Sequence, residues 1–217
     1  MIERLKRLNT SSVSDALDAL GISRVALGIH CLTANKRVAG RAVTLRLKRA
    51  AREKPKRHLG TAAIAAASAG DVIVLEHGGR TDVVGWGGIL SLAAKQKGVS
   101  AVIIDGAFRD RAEAEQMGFP VFGRTAVPVS ARGRIVESSF NRPVKIAGIQ
   151  VRPRDLVLAD SDGVVFIPNE KADEVIGLAE EIVAKEAEMA KAIREGKAAT
   201  RVMGTNYESL LTRRARS

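Results

Sequence analysis

An arginine and an aspartate stand side by side where a buried strand gives way to a helix. Ile103-Ile104-Asp105-Gly106 reads as an apolar strand and a turn, and Arg109-Asp110 as the start of the next helix. In parallel α/β sheets, ligands bind beyond the carboxyl ends of the strands. There Arg109 can hold a carboxylate with two hydrogen bonds, and Asp110 can bind a divalent cation or cap the helix. A capping aspartate beside a surface arginine is the simpler interpretation of this spacing alone.

A glycine-rich segment precedes another predicted helix earlier in the chain. It reads Gly85-Trp86-Gly87-Gly88-Ile89-Leu90, and with Gly78-Gly79 it is expected to bracket a loop. Glycines let the backbone approach a ligand closely, and the N–H groups of residues 88–90 can form a small anion-binding nest. The segment matches neither a dinucleotide-binding turn nor a phosphate-binding loop. A plain turn before a helix is the alternative.

Alternating strand and helix patterns must position both segments. We predict strands and helices in the order helix 11–20, strand 40–47, helix 58–69, strand 71–75, helix 89–95, strand 101–104, helix 111–117 and strand 119–122. Such alternation indicates parallel strands joined by right-handed crossovers. After Val127 the strands are short and more antiparallel in style, and a helix from Lys171 to Glu195 follows. The sequence predicts a single α/β domain over residues 1–217, with a long C-terminal helix and a basic tail over about 205–217.

Other polar residues are weaker candidates. His30, His58 and His77 lack the spacing of a metal cluster, and no serine lies in a hydrolase-like context. The lone Cys31 is expected to be structural. Asp160-Ser161-Asp162-Gly163 is most simply a turn, although its two carboxylates could reach a neighbouring subunit.

Composition sets the class of protein. The chain has 217 residues, 46% hydrophobic and 27% charged, which excludes a largely disordered chain and a collagen-like repeat. A single cysteine cannot form an internal disulfide, so a reducing compartment is expected. No apolar stretch is long enough for a membrane span, and the amino terminus lacks the apolar core of a signal peptide. We therefore expect a cytoplasmic protein with no membrane partner.

The net charge of +11 raises the question of an anionic partner. Basic residues concentrate between Arg46 and His58 and in Arg213, Arg214 and Arg216. Aromatic residues are only 3% of the chain, so stacking platforms for nucleic-acid bases are scarce. Nucleic acid is therefore an unlikely partner. A solvated basic loop and a frayed tail are the simpler interpretation, with attraction of anionic substrates as the alternative.

At these positions the sequence resembles the RraA-like family, which includes class II 4-hydroxy-4-methyl-2-oxoglutarate/4-carboxy-4-hydroxy-2-oxoadipate aldolases and the ribonuclease E activity regulator. The resemblance covers most of the chain, and the order of its segments is fairly specific. These segments are 11–20, 69–74, 85–88, 105–110 and 160–165. The resemblance implies a swivelling β/β/α-type domain that assembles as a homotrimer or hexamer with inter-subunit sites.

The resemblance also implies roles for particular residues. Arg109 would bind the oxo-acid and stabilise a pyruvate enolate, and Asp110 would bind Mg²⁺ or Mn²⁺. Gly87, Gly88, Ile89 and Leu90 would bind substrate through their backbone amides. We therefore expect a divalent-metal-dependent carbon–carbon lyase, an aldolase or decarboxylase. Its substrate would be a small oxo-acid such as 4-hydroxy-4-methyl-2-oxoglutarate or oxaloacetate.

The sequence departs from the family pattern at one position. The family aldolases carry an acid twenty-one residues before this arginine, and Gly88 occupies that position here. Losing such a carboxylate commonly costs about ten- to a hundredfold in metal affinity or activity. Either another acid such as Asp82 compensates, or the reaction differs, or metal catalysis is lost. Glu186 is a candidate for the acid that the family takes from a neighbouring subunit's terminal helix. On this basis, restoring an acid with Gly88→Asp is expected to tighten metal binding.

Two other functions stay open on the sequence. One is a non-catalytic RraA-like regulator that acts by protein contact. The other is an altered family enzyme whose basic 46–58 segment accepts a phosphorylated or polycarboxylate substrate.

Overall fold

A nine-stranded mixed sheet forms the centre of the protein in a computed structural model that describes residues 1–51 and 57–203. The helices are α1 Ile2–Leu5, α2 Thr10–Ala19, α3 Thr61–Ala66, α4 Gly88–Gln96, α5 Arg111–Gln116, α6 Ala172–Arg194 and α7 Ala199–Val202. The strands are β1 His30–Cys31, β2 Val38–Arg49, β3 Val72–Trp86, β4 Ala101–Phe108, β5 Val121–Gly123, β6 Thr125–Ala126, β7 Ile135–Phe140, β8 Val144–Ile146, β9 Ile149–Val151, β10 Leu156–Ala159 and β11 Val164–Ile167. The predicted basic tail and the middle of the basic 46–58 segment lie outside the described residues.

The sheet has the order β1-β5-β4-β3-β2-β10-β11, with β6 beside β4 and β7 beside β2. Strands β2, β3, β4 and β5 pair in parallel, which confirms the predicted parallel pairing. The later strands pair antiparallel, also as predicted. The α/β class with a long C-terminal helix, α6, is therefore confirmed. What matters for the site is that β3 and β4 run side by side in the same direction.

Strands β3 and β4 are longer than their apolar runs predict. The segment predicted as a loop is strand through Trp86, and the Asp105-Gly106 turn lies inside β4. Gly78 and Gly79 adopt positive φ values of 65° and 71°, and the register between β3 and β4 shifts here. Glycines in this conformation let a strand bulge without leaving the sheet. The turn that follows β4 therefore begins only at Arg109.

By contrast, the helix predicted over residues 58–69 is shorter than expected. Gly60 lies before α3 with φ of 82°, and Ala67 is already extended after it. A left-handed residue cannot continue a right-handed helix, so α3 spans only six residues. Residues 57–60 form a connection, and His58 is exposed in it.

Apolar side chains pack on both faces of the sheet. One group, which includes the fully buried Trp86 and Phe108, lies under α3, α4 and α5. A second group joins α1, α2 and α6 to β10 and β11. The β8–β9 hairpin contributes Val144, Ile146 and Val151 to a third group on the sheet. The strand ends beside α4 and α5 are therefore held by a rigid core.

The turn at residues 160–163 closes onto the chain's own first helices. Asp160 accepts hydrogen bonds from the backbone N–H and the hydroxyl of Thr10, at 2.9 and 2.6 Å. It also accepts one from the backbone N–H of Asp162 at 3.1 Å, and its side chain is buried. The Asp160 carboxylate is therefore bound within its own chain, whereas contact of this turn with a neighbouring subunit stays a prediction. Among the helices of residues 1–51 and 57–203, none has the length and apolar character that a membrane crossing requires.

Candidate active site

The two segments singled out from the sequence meet at one edge of the sheet. Trp86, the last residue of β3, is the register partner of Phe108, the last residue of β4. The backbone N–H of Arg109 donates to the carbonyl oxygen of Trp86 at 3.2 Å. Gly87 and Gly88 therefore lie directly beside Arg109 and Asp110, at the carboxyl ends of parallel strands where ligands bind.

Asp110 takes an uncommon backbone conformation that aims its side chain across this junction. Its φ is 64° and its ψ is 42°, in the left-handed region that non-glycine residues seldom occupy. Its Oδ2 accepts a hydrogen bond from the backbone N–H of Gly88 at 2.8 Å and lies 3.4 Å from Nε of Arg109. Asp110 thus caps the neighbouring helix α4, whereas the capping interpretation from sequence placed it on its own helix α5. Its Oδ1 accepts no hydrogen bond from any described residue.

Helix α4 is braced at its first turn. The indole N–H of the buried Trp86 donates to the hydroxyl of Ser91 at 3.0 Å, and that hydroxyl donates to the carbonyl of Gly87 at 3.2 Å. The first N–H groups of a helix have no partner within the helix. Because Asp110 binds the N–H of Gly88, the remaining free donors of the predicted nest are those of Ile89 and Leu90. The Leu90 side chain is buried, whereas that of Ile89 is exposed.

A second carboxylate, on Glu113, lies against Gly88. A Cβ atom built on Gly88 would collide with Oε2 of Glu113 and would lie 3.0 Å from Cβ of Asp110. Glu113 lies in the first turn of α5, three residues after Asp110, which precedes that helix in the left-handed conformation. The acid missing from position 88 is therefore replaced in space by an acid from the neighbouring helix. A side chain at position 88 would require the flexible Glu113 side chain to move.

The carboxylates of Asp110 and Glu113 suit a hard divalent cation. Mg²⁺ binds oxygen atoms, keeps several of its waters, and is commonly held by one or two protein carboxylates. Within residues 1–51 and 57–203, no group of three or more His, Cys, Asp or Glu side chains is arranged to hold a metal. The donor set thus fits a largely hydrated ion.

The two other acids considered from sequence lie elsewhere. Both oxygens of Asp82 accept hydrogen bonds from Arg80, at 2.9 and 2.6 Å. This guanidinium lowers the pKa of Asp82 to about 2. Neither Asp82 nor Glu113 lines the cavity beside Gly88, but the Glu113 carboxylate lies against Gly88 itself. Glu186 lies on the second half of α6 and is absent from this cavity, so its role in a neighbouring subunit stays a prediction.

A cavity of about 620 Å³ opens at this edge of the sheet. Its lining includes every candidate site residue: Gly87, Gly88, Ile89, Leu90, Arg109 and Asp110. Leu59, Trp86, Ile135 and Val136 add apolar surface. Four further polar side chains also line it, Arg57, His58, Ser130 and Arg132. The cavity thus places Arg109, Asp110 and the backbone N–H groups at the start of α4 beside a small apolar surface.

Sequence reasoning singled out Arg57 only as part of the basic 46–58 segment. It missed Glu113, His58 and Arg132 as site residues, for different reasons. Glu113 carried a local signal, because it follows Asp110 by three residues in the first turn of the predicted helix. His58 was dismissed for lacking metal-ligand spacing, although an imidazole can serve a site alone. Arg57 and Arg132 belong to segments far from Arg109 in the chain, and only the folded sheet brings them to one cavity.

A family model described as RraA-like, Aldolase/RraA, matches residues 10–166 of the chain. The chain belongs to the RraA-like family, a family of metal-dependent aldolases and RraA regulators, as its motifs predicted. A crystal structure of an uncharacterized protein from Pseudomonas syringae pv. tomato is similar, with a TM-score of 0.84 and 30% identity. The similarity covers 94% of this chain and 96% of that one, which confirms the fold.

Two relatives are similar to the chain over most of its length. It is 30% identical over 202 residues to Protein DlpA of Legionella pneumophila, a match that covers 90% of this chain. The chain spans only 32% of the length of DlpA. It is also 30% identical over 201 residues to a protein of Halalkalibacterium halodurans named "Putative 4-hydroxy-4-methyl-2-oxoglutarate aldolase". That match covers 92% of this chain and 91% of the relative.

Proposed function

We propose that this protein is a divalent-metal-dependent carbon–carbon lyase that cleaves a small 2-oxo acid. The proposal rests chiefly on one observation, the carboxylates of Asp110 and Glu113 converging on Gly88 beside Arg109. A retro-aldol substrate such as 4-hydroxy-4-methyl-2-oxoglutarate and a decarboxylation substrate such as oxaloacetate pass through the same enolate. One site of this kind therefore serves both reactions.

Arg109 and the start of α4 bind the 2-oxo acid end. The guanidinium of Arg109 offers a planar pair of donors to the substrate carboxylate. The backbone N–H groups of Ile89 and Leu90 add two uncharged donors at the amino end of α4, where an anion is favoured. Together they hold the 2-oxo acid in one orientation while negative charge develops on its oxygen.

Asp110 and Glu113 would hold Mg²⁺ or Mn²⁺, with the hydrogen bond from Gly88 keeping Asp110 in place. When bound, such an ion acts as a Lewis acid that stabilises negative charge on the 2-oxo group. The two carboxylates leave most of the ion's other positions to water or substrate.

His58 is the proton carrier in this proposal. Its Nδ1 lies 3.0 Å from the carbonyl oxygen of Leu59, so a proton on Nδ1 donates there and leaves Nε2 with a free lone pair. In the retro-aldol reaction the C3–C4 bond breaks as His58 removes the proton of the 4-hydroxyl group. The same imidazole then returns a proton to C3 of the enolate, which yields pyruvate. His58→Asn should slow the retro-aldol reaction by roughly a hundredfold, because these proton transfers are lost. His30→Asn, at an exposed histidine, is the control.

The decisive experiment combines two assays on the purified protein with Mg²⁺ or Mn²⁺. We expect release of pyruvate from 4-hydroxy-4-methyl-2-oxoglutarate or oxaloacetate, lost on chelation and recovered when the ion is restored. We also expect deuterium from D₂O to enter the methyl group of pyruvate, because that exchange requires the enolate. If neither reaction exceeds the metal-only background, the lyase proposal is wrong.

The regulator alternative makes a different prediction from the same preparation. A protein that acts only by contact would bind a ribonuclease and would not exchange the pyruvate protons. Exchange that depends on Arg109 would therefore count against this alternative. Its absence, together with a stoichiometric complex, would support it.

We further propose that the protein assembles as a homotrimer or hexamer. The side chains of Ile89, which lines the cavity, and of Leu92 are 79% and 44% exposed on α4. Apolar side chains exposed this far next to a binding site are typical of a surface that another chain covers.

A further inference from the structure

Glu137 on β7 carries a buried carboxylate that has no role in the proposed reaction. Its side chain is only 8% exposed, and the residue pairs with Leu47 of β2 in the sheet. A buried carboxylate is costly unless donors or positive charge pair with it. Both oxygens of Glu137 have such partners, and both partners belong to the connection over residues 57–60.

The two oxygens bind residues on either side of His58. Oε1 of Glu137 lies 3.2 Å from Nε of Arg57, the residue before His58. Oε2 accepts a hydrogen bond from the backbone N–H of Gly60, two residues after His58, at 3.3 Å. One carboxylate therefore fixes both ends of the connection that carries His58.

The connection lies against Trp86. Gly60 has φ of 82°, and a Cβ atom built on it would lie 2.9 Å from Cζ3 of Trp86. Glycine adopts this backbone conformation without strain and leaves room for the indole ring. Because Trp86 and His58 both line the cavity, the hydrogen bond from Gly60 to Glu137 also determines where His58 stands in it.

The backbone of His58 has a further contact at the start of α3. Its carbonyl oxygen accepts a hydrogen bond from the hydroxyl of Thr61 at 2.8 Å. The imidazole itself lies close to the carbonyl oxygen of Leu59 in the same connection. Since His58 is exposed, its position depends chiefly on the backbone that carries it.

We propose that Glu137 is a positioning residue for the retro-aldol reaction, which holds the connection so that His58 reaches the 4-hydroxyl group of the substrate. This inference rests on the proposed function, which assigns the proton transfers to His58. Glu137 does not line the cavity, so it acts through the connection and not on the substrate. A misplacement of about 1 Å can cost roughly a hundredfold in rate, so such a contact can control the chemistry from outside the cavity.

Two substrates separate this role from a general loss of structure. Cleavage of 4-hydroxy-4-methyl-2-oxoglutarate requires removal of the hydroxyl proton, whereas oxaloacetate releases CO₂ and has no such proton to remove. We expect Glu137→Ala to lower kcat for the cleavage about a hundredfold and kcat for the decarboxylation less than about threefold. Glu137→Gln should lose less of the cleavage, because its amide oxygen still accepts the N–H of Gly60.

Glu76→Ala and Glu76→Gln are the matched controls. Oε2 of Glu76 also accepts hydrogen bonds from an arginine and from a backbone N–H, those of Arg46 at 2.8 Å and Lys145 at 2.7 Å. The Glu76 side chain is 20% exposed and does not line the cavity. Both controls should keep kcat for each substrate near the wild-type value.

A double variant tests whether Glu137 acts through His58. Glu137→Ala should cost nothing further in the His58→Asn background, because the effects of residues that act as a unit are not additive. A second measurement needs no substrate. Trp86 is the only tryptophan of the chain, so quenching of its fluorescence by acrylamide reports on the connection that covers it. We expect stronger quenching in Glu137→Ala and wild-type quenching in Glu76→Ala.

Three outcomes would overturn the inference: equal losses of cleavage and decarboxylation in Glu137→Ala, the full loss of cleavage repeated in the His58→Asn background, or unchanged quenching of Trp86. A wild type that decarboxylates oxaloacetate without cleaving the aldol substrate would also overturn it and would keep the lyase. If wild type catalyses neither reaction, the lyase and this catalytic role are both wrong. Stronger quenching in Glu137→Ala would then leave Glu137 with the connection alone.

Discussion

The carboxylate of Asp110 accepts a hydrogen bond from the backbone N–H of Gly88, with 2.8 Å between the two atoms. The residues are 22 positions apart in the chain and meet because β3 and β4 end side by side. The bond orients the carboxylate that we assign to the metal, and it also satisfies the first N–H of α4. Changes at either residue will therefore affect both the ion and the helix start.

The contact with Glu113 reverses what the sequence predicts for Gly88→Asp. An aspartate at position 88 would displace the carboxylate of Glu113 from its place against Gly88 and bring a third negative charge beside Asp110. We expect the single variant to bind Mn²⁺ more weakly and to lose activity. Gly88→Asp combined with Glu113→Ala should recover most of both. A single variant that outperforms wild type in a Mn²⁺ titration would refute this arrangement.

The metal assignment to Asp110 and Glu113 can be tested without any substrate. Asp110→Asn and Glu113→Gln keep the size of each side chain and remove its charge. Each should weaken Mn²⁺ binding by about ten- to a hundredfold, as loss of a carboxylate at or near an ion commonly does. Electron paramagnetic resonance of free Mn²⁺ measures this directly. Glu115→Gln is the control, because Glu115 is exposed and paired with Arg111.

Arg109→Lys should lose most of kcat. A lysine supplies a point charge in place of a planar fork, so it cannot hold the carboxylate with two parallel hydrogen bonds. Loss of a contact that strengthens in the transition state is worth about 3 kcal/mol, or a hundredfold in rate. The matched control is Arg111→Lys on the exposed face of α5. Equal kcat/KM for wild type and Arg109→Lys would exclude the assigned role.

Stability should fall in mild acid because of His77. This side chain is 3% exposed and its Nε2 lies 2.8 Å from the carbonyl of Val83, and burial lowers its pKa below the usual 6.5. Below pH 6.5 the unfolded chain binds a proton that folded His77 does not, so the free energy of unfolding drops. The slope from one such site is at most about 1.4 kcal/mol per pH unit.

Urea unfolding between pH 5.5 and 7.5 measures this slope. His77→Gln should flatten it while lowering stability at every pH, because the amide fits the site less well. His30→Gln, at an exposed histidine, should leave the slope unchanged. If His77→Gln does not reduce the pH dependence of the unfolding free energy, His77 is not the cause of that dependence.

The proposed assembly is measurable by light scattering. We expect a mass of three or six times 23.1 kDa. Ile89→Ser should shift the protein toward smaller species, because it removes exposed apolar surface from α4. A wild-type mass of 23.1 kDa at micromolar concentration would contradict both the assembly and the inter-subunit site.

Local patterns in the sequence were sufficient for the class of fold and for part of the site. Apolar runs of strand length alternating with helical stripes predicted the parallel strands β2, β3 and β4, which the structure has. The sequence also predicted that Arg109 and Asp110 lie together, because residues adjacent in the chain are close in any fold. Apolar residues recur every two positions in a strand and every three to four positions in an amphipathic helix. A short stretch of sequence therefore contains either pattern.

Contacts between distant segments were decided only by the tertiary structure. The Gly78-Gly79 pair is typical of a turn, yet the pairing of β3 with β4 keeps the chain in the sheet as far as Trp86. That register places Gly88 against Asp110 and Glu113, and the sheet order brings Arg132 to the cavity of Arg109. Strand register depends on the packing of whole faces and not on the residues at the ends. The sequence therefore determined which groups were available for chemistry, and the folded sheet decided which of them share one site.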